Sequence, residues 1–128
     1  MLILVYREKW ATLATLATVK CNYYLDREVD MRERTVEKAL IREVEKRGGL
    51  CLKFVSPGRA GVPDRLCILP GGVVFFAELK APGKILRPLQ EAWRGILQQR
   101  GVAVAVIDSP EMAVSCVDSF SRRCGDTP

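Results

Sequence analysis

Asp64-Arg65-Leu66-Cys67-Ile68-Leu69-Pro70-Gly71-Gly72-Val73-Val74-Phe75-Phe76-Ala77-Glu78-Leu79-Lys80 is the stretch whose reading decides the fold. Two apolar runs rich in aliphatic and aromatic residues flank Pro70-Gly71-Gly72, so the stretch predicts an antiparallel hairpin with strands over 64–69 and 73–80. With a three-residue loop, Leu69 faces Val73. Carried outward, the same register sets Asp64 opposite Glu78, with Cβ atoms roughly 4.5–5.5 Å apart. A two-residue loop would slip the register by one and part the two acids. Alternate residues of a strand share a face, so Glu78 and Lys80 lie with Val74 and Phe76, while Phe75, Ala77 and Leu79 take the other side. Both faces are apolar as far as Glu78, which predicts a central strand buried on both sides. Facing carboxylates repel unless something offsets their charge. Spacing leaves two answers open. A divalent cation with oxygen ligands, such as magnesium, suits a carboxylate pair; alternatively, Lys80 neutralises one acid in a cross-strand salt bridge.

Outward from the hairpin, the pattern predicts a helix over 33–47, with Val36, Leu40 and Val44 at spacing four and Gly48-Gly49 as its stop. A short strand follows over 50–55, then a loop over 56–62 with Pro57, Gly58, Arg59 and Gly61. Beyond the hairpin, residues 81–87 form a loop and 89–100 a helix with Leu89, Trp93, Ile96 and Leu97 on one face. Residues 102–107 are a solid apolar strand. Ser109-Pro110-Glu111 then opens a last helix that runs to about Phe120. The order is α-β-β-β-α-β-α. The last strand follows a helix and so returns parallel to a neighbour, giving an α/β fold around a small mixed sheet flanked by helices.

At 128 residues and 48% hydrophobic content the chain holds one main core. Residues 1–30 look unlike the rest. Their Ala-Thr-Leu-Ala-Thr-Leu-Ala-Thr run mixes helix-favouring alanine with strand-favouring threonine, and Met31 opens the clearer pattern. The division expected is therefore an N-terminal appendage over 1–30, a domain over 31–120 and a polar tail over 121–128. The first thirty residues balance four bases against four acids, so the net charge of +5 belongs to residues 31–128. That surplus suits a polyanionic partner only weakly.

The chain has no histidine, which excludes Ser-His-Asp and Cys-His nucleophilic systems and histidine-ligated zinc. Its five cysteines, with no CxxC pair, argue against a disulfide framework or a tetrahedral zinc site. They fit a reducing, intracellular setting. No stretch reaches the roughly 18 apolar residues of a membrane span, and no organic cofactor is signalled. Catalysis would have to run on carboxylates, lysine, hydroxyls or a hard metal ion.

Pro63-Asp64, thirteen residues, then Glu78-Leu79-Lys80 resembles the PD-(D/E)XK nuclease signature. With Gly61-Val62 before it and Gln90 after it, the pattern is more closely similar to the VRR-NUC domain, the virus-type replication-repair nuclease, over about residues 31–120. The resemblance implies a restriction-endonuclease-like core and a metal-dependent DNA endonuclease of phage or bacterial type, working in the cytoplasm. The alternative is a nuclease-fold module that binds nucleic acid without cutting it. By resemblance, Glu37 is the acid on the first helix, with Glu33 as the second choice. Asp64, Glu78 and the Leu79 carbonyl hold Mg2+ or Mn2+, Lys80 positions or deprotonates the attacking water, and Gln90 orients water or phosphate. Arg59, Lys84 and Arg87 flank these residues on loops and suit sequence-independent phosphate contacts. The resemblance also implies a homodimer acting on branched DNA, in the manner of Holliday-junction resolvases.

Overall fold

The computed structural model describes residues 13–123, with side chains from Asp30 onward. The expectations for residues 1–12 and 124–128 lie outside the described residues. Helix α1 spans Leu13–Lys46. It begins about twenty residues before the start that periodicity predicts, and it runs through Met31 without a break. No glycine or proline occurs between Leu13 and Lys46. Alanine and leucine therefore carry the threonine-rich run into helix, against the modest cost of β-branching. The chain divides into two units, 1–31 and 32–128; the second holds the sheet and is described below.

After the α1 stop at Gly48-Gly49 come β1 (Leu50–Lys53), β2 (Arg65–Leu69), β3 (Val73–Leu79), α2 (Pro88–Gln99), β4 (Ala103–Ile107) and α3 (Pro110–Arg122). The sheet order is β1-β2-β3-β4. The β1–β2 and β2–β3 pairs are antiparallel, and β4 returns parallel to β3 after α2. The fold is the expected α/β arrangement with a small mixed sheet. Leu69 pairs with Val73 and Arg65 with Ala77, the register of a three-residue loop. That loop needs Gly71 at φ 89° and Gly72 at φ 80°, a left-handed pair that side chains with a Cβ resist.

One sheet face meets α1 and α3. Val36, Leu40 and Val44 of α1 form the core with Cys67, Leu69, Phe75, Ala77, Leu79 and Ile107 of the sheet and with Ala113 and Val117 of α3. Phe120 of α3 stacks on Phe75, with centroids 4.2 Å apart and planes 3° from parallel. Pro110 opens α3 behind Ser109, whose hydroxyl accepts the Met112 N–H at 3.1 Å. The opposite face departs from expectation. Phe76 is only half-buried and Val74 is 47% exposed, so β3 is sealed on one side rather than two. Helix α2 buries none of its residues fully and so cannot close that face.

Candidate active site

The site forms where β2 begins and β3 ends. Asp64 immediately precedes β2, and its carbonyl accepts the Phe54 N–H at 2.9 Å, which extends the β1–β2 ladder to this point. Continuation of the β2–β3 register brings Asp64 opposite Glu78. Asp64 Oδ2 accepts the Leu79 N–H at 2.9 Å, so the aspartate is fixed to the end of β3 by its side chain as well. Gly61, three residues earlier, sits at φ 83°, and a Cβ there would stand 2.6 Å from Leu89 Cγ. The glycine of Gly61-Val62-Pro63-Asp64 thus lets the approach to Asp64 pass against α2.

Glu78 is 3% exposed and interacts with the Asp64 carboxylate. Its pKa is pushed up from 4.5 to about 8. Burial is the largest cause; the neighbouring Asp64 carboxylate and the Glu33 charge add to it, and Lys80 opposes it. Lys80 is itself 8% exposed, and its backbone N–H donates to the Ile107 carbonyl at 2.9 Å. Among the described residues no ion pair joins Lys80 to Asp64 or Glu78. A cross-strand salt bridge is therefore not what offsets the two acids.

Gln90 connects helix α2 to this pair. Its Nε2 donates to Glu78 Oε1 at 2.8 Å, and its Oε1 accepts the Arg87 N–H at 2.9 Å. The second bond caps the helix and fixes which end of the amide faces the acid. The glutamine is thus a rigid spacer between the first turn of α2 and the buried glutamate.

Helix α1 supplies two acids to a cleft of about 310 Å³ lined by Glu33, Glu37, Lys53, Phe54, Val55, Asp64 and Leu79. Glu37 faces this cleft but is committed elsewhere. Its Oε1 accepts both Arg65 Nε at 2.9 Å and Arg65 Nη2 at 2.5 Å. Arg65 Nη1 also reaches the Cys51 carbonyl at 3.3 Å. Glu33, one turn earlier, is the helix acid whose field reaches Glu78. Arg65 and Lys53, which pair across β1 and β2, were not singled out from sequence. For Arg65, the available signal is a basic residue directly after Asp64 and in the register position beside Glu78.

Of the three loop cations, Arg59 lies with its guanidinium 5.7 Å from the centre of the Trp93 ring, and Trp93 Nε1 donates to the Ala60 carbonyl at 2.9 Å. These contacts pin the loop before Asp64 to helix α2. Lys84 and Arg87 are exposed on the loop that leads from Lys80 to α2.

No protein-family model matches the chain. Over 83 residues the chain is 48% identical to a protein named "Putative nuclease p44" of Acyrthosiphon pisum secondary endosymbiont phage 1, covering 65% of this chain and 89% of that one. A solved structure of a VRR-NUC domain is 34% identical and superposes with a TM-score of 0.61, over 71% of this chain and 95% of that one. The chain belongs to the VRR-NUC family of nucleases. Asp64, Glu78, Lys80 and Gln90 thus gather at one end of the sheet of a VRR-NUC chain. Glu37 is held in an ion pair with Arg65, and Glu33, Glu37 and Asp64 line the adjoining cleft. Hard oxygen donors of this kind fit Mg2+ or Mn2+ rather than a soft metal. Among the described residues no cluster of three or more acidic or thiol side chains is drawn together to hold an ion. The side-chain donors on hand are therefore the Asp64–Glu78 pair, a set that leaves the other positions to backbone and water. No helix among the described residues is long and apolar enough to cross a membrane.

Proposed function

We propose that this VRR-NUC protein is a Mg2+- or Mn2+-dependent DNA endonuclease that hydrolyses phosphodiester bonds. The observation that carries the reading is the Asp64–Glu78 pair, two interacting carboxylates at a buried strand end, to neither of which a cation is ion-paired among the described residues. Holding two such acids together costs folding energy unless a ligand of opposite charge is bound in use.

In this reading Asp64 and Glu78 hold the ion, with the Leu79 carbonyl as a third protein ligand. The bound ion supplies an activated water and screens the charge that develops on the phosphoryl oxygens. Lys80 stands beside Glu78 and orients the attacking water or a non-bridging phosphate oxygen. Gln90 holds Glu78 in place through its amide and so sets the direction of one ligand oxygen. Helix α1 supplies the acid that holds an outer water, Glu37 in its pair with Arg65 or Glu33 one turn earlier. The Glu37–Arg65 pair then acts as a strut that sets the spacing between α1 and the strand carrying Asp64. Arg59, Lys84 and Arg87, with Lys53 at the cleft, meet the DNA backbone. A homodimer with two such sites would cut paired strands of a branched substrate, and the intracellular, phage-type setting supplies such DNA.

Digestion of duplex, flap and four-way junction DNA, with Mg2+ or Mn2+ and then with chelator, tests the reading. The expected result is metal-dependent cleavage with a preference for branched DNA. Binding to all three without cleavage in either metal would overturn it in favour of a silent nucleic-acid-binding module.

A further inference from the structure

We propose that Ile85 is an apolar wedge that enters the base stack of duplex DNA held at the site, and that it directs the enzyme to DNA that unstacks readily. The proposal rests on the nuclease reading above and names the substrate feature that reading leaves open.

Ile85 is 86% exposed, the largest exposure among the described large hydrophobic residues. Its exposure is not that of a loose chain end, because the loop around it is fastened on both sides. Ala81, on the site side, is 1% exposed, and its carbonyl accepts the Lys84 N–H at 3.0 Å across Pro82-Gly83. On the other side Gln90 Oε1 holds the Arg87 N–H, while the same amide holds Glu78. Between these two anchors Leu86 turns half-inward and Ile85 points to water. The backbone thus holds an isoleucine outward a few residues from the acids.

Its neighbours say what it meets. Residues 81–87 contain Lys84 and Arg87 and no acid. Both cations are exposed, and neither has an ion-pair partner among the described residues. An apolar prong between two cations matches a polyanion with an apolar interior: phosphates take the charges and the base stack takes the side chain. Proteins that insert aliphatic side chains between base steps unstack and kink the duplex, and the cost is least where pairing or stacking is already weak. Val55, 68% exposed, is a second outward apolar group, on the wall of the cleft that Asp64 lines. The loop leaves directly from Lys80, so a distortion made by Ile85 falls close to the bond to be cut.

The test uses the full chain, Ca2+ in place of Mg2+, and short duplexes carrying 2-aminopurine at successive positions, with binding followed separately by anisotropy. The wild type should raise 2-aminopurine fluorescence several-fold at one or two positions. Ile85→Ala should abolish that rise while weakening binding by less than about tenfold, since the phosphate contacts of Lys84 and Arg87 remain. Ile85→Phe should retain the rise, and Met112→Ala, on α3 away from the loop, should leave it unchanged. Binding without a rise in the wild type, or an equal rise in Ile85→Ala, would overturn the wedge and leave the nuclease reading standing. Absence of binding by the wild type would overturn both.

Discussion

Glu78→Gln should make the metal-free protein more stable and the metal-loaded protein worse. Glu78 ionises at 4.5 in its ordinary state and at about 8 in the fold. The folded form therefore prefers the protonated acid. Between those two values the unfolded chain releases the proton and the folded chain keeps it, so stability declines as pH rises through that window and levels off above it. Each pH unit in the window is worth about 1.4 kcal/mol. The upper bound on the penalty is then on the order of 5 kcal/mol above pH 8, and relaxation of the Asp64–Glu78 pair makes the realised value smaller. Gln at position 78 removes the charge and keeps the shape. Its carbonyl oxygen can accept from Gln90 Nε2, and its amide can donate to Asp64. A gain of about 2–3 kcal/mol raises the melting midpoint of a domain of this size by on the order of 10 °C. The assay is thermal unfolding in chelator across about pH 5 to 8.5. The wild type should lose stability over that range, while the variant should stay nearly flat and melt higher at the alkaline end. Saturating Mg2+ should stabilise the wild type increasingly as pH rises and leave the variant little changed, because only the wild type offers two carboxylates. The reasoning is refuted if Glu78→Gln melts at or below the wild type in chelator near pH 8, or if the wild-type midpoint is independent of pH.

Other consequences of the structure are open to measurement. Arg65→Met leaves the partly buried Glu37 without its donor and should cost about 2–3 kcal/mol in denaturant unfolding; an unchanged midpoint would remove Glu37–Arg65 as a strut. Gly61→Ala places a methyl 2.6 Å from Leu89 Cγ at φ 83° and should cost about 2 kcal/mol or more, with lowered cleavage as the approach to Asp64 shifts.

The hairpin was legible because its chemistry is local. Pro70-Gly71-Gly72 announces the turn, and the alternation around it fixes which residues share a face. The loop length alone then carried the register from Leu69–Val73 to the Asp64–Glu78 juxtaposition. The start of α1 was not legible. Alanine and threonine give opposing local preferences, and the absence of a breaker before Lys46, which permits one long helix, does not require it. The partner of Glu37 turned on a long-range contact. Ile41 beside Glu37 marks it as near the core, but only the fold shows Arg65 reaching from β2 to Glu37 and Cys51 at once. The apolar run of β3 also predicted more burial than the chain supplies. Val74 and Phe76 suit a covered face, and whether anything covers them depends on α2, whose Leu89 and Ile96 remain 50% and 38% exposed.

The central claim is that Asp64 and Glu78 act together to hold the ion that cuts DNA. Nicking of supercoiled plasmid by Asp64→Asn, beside wild type in saturating Mg2+, tests it most directly. Asparagine keeps an oxygen to accept the Leu79 N–H, so the strand end should hold its shape, as circular dichroism and the melting midpoint can verify. The account predicts a loss of at least about 10³-fold in rate, corresponding to the several kcal/mol that a correctly held cation contributes. A folded Asp64→Asn protein that nicks at close to the wild-type rate would contradict it.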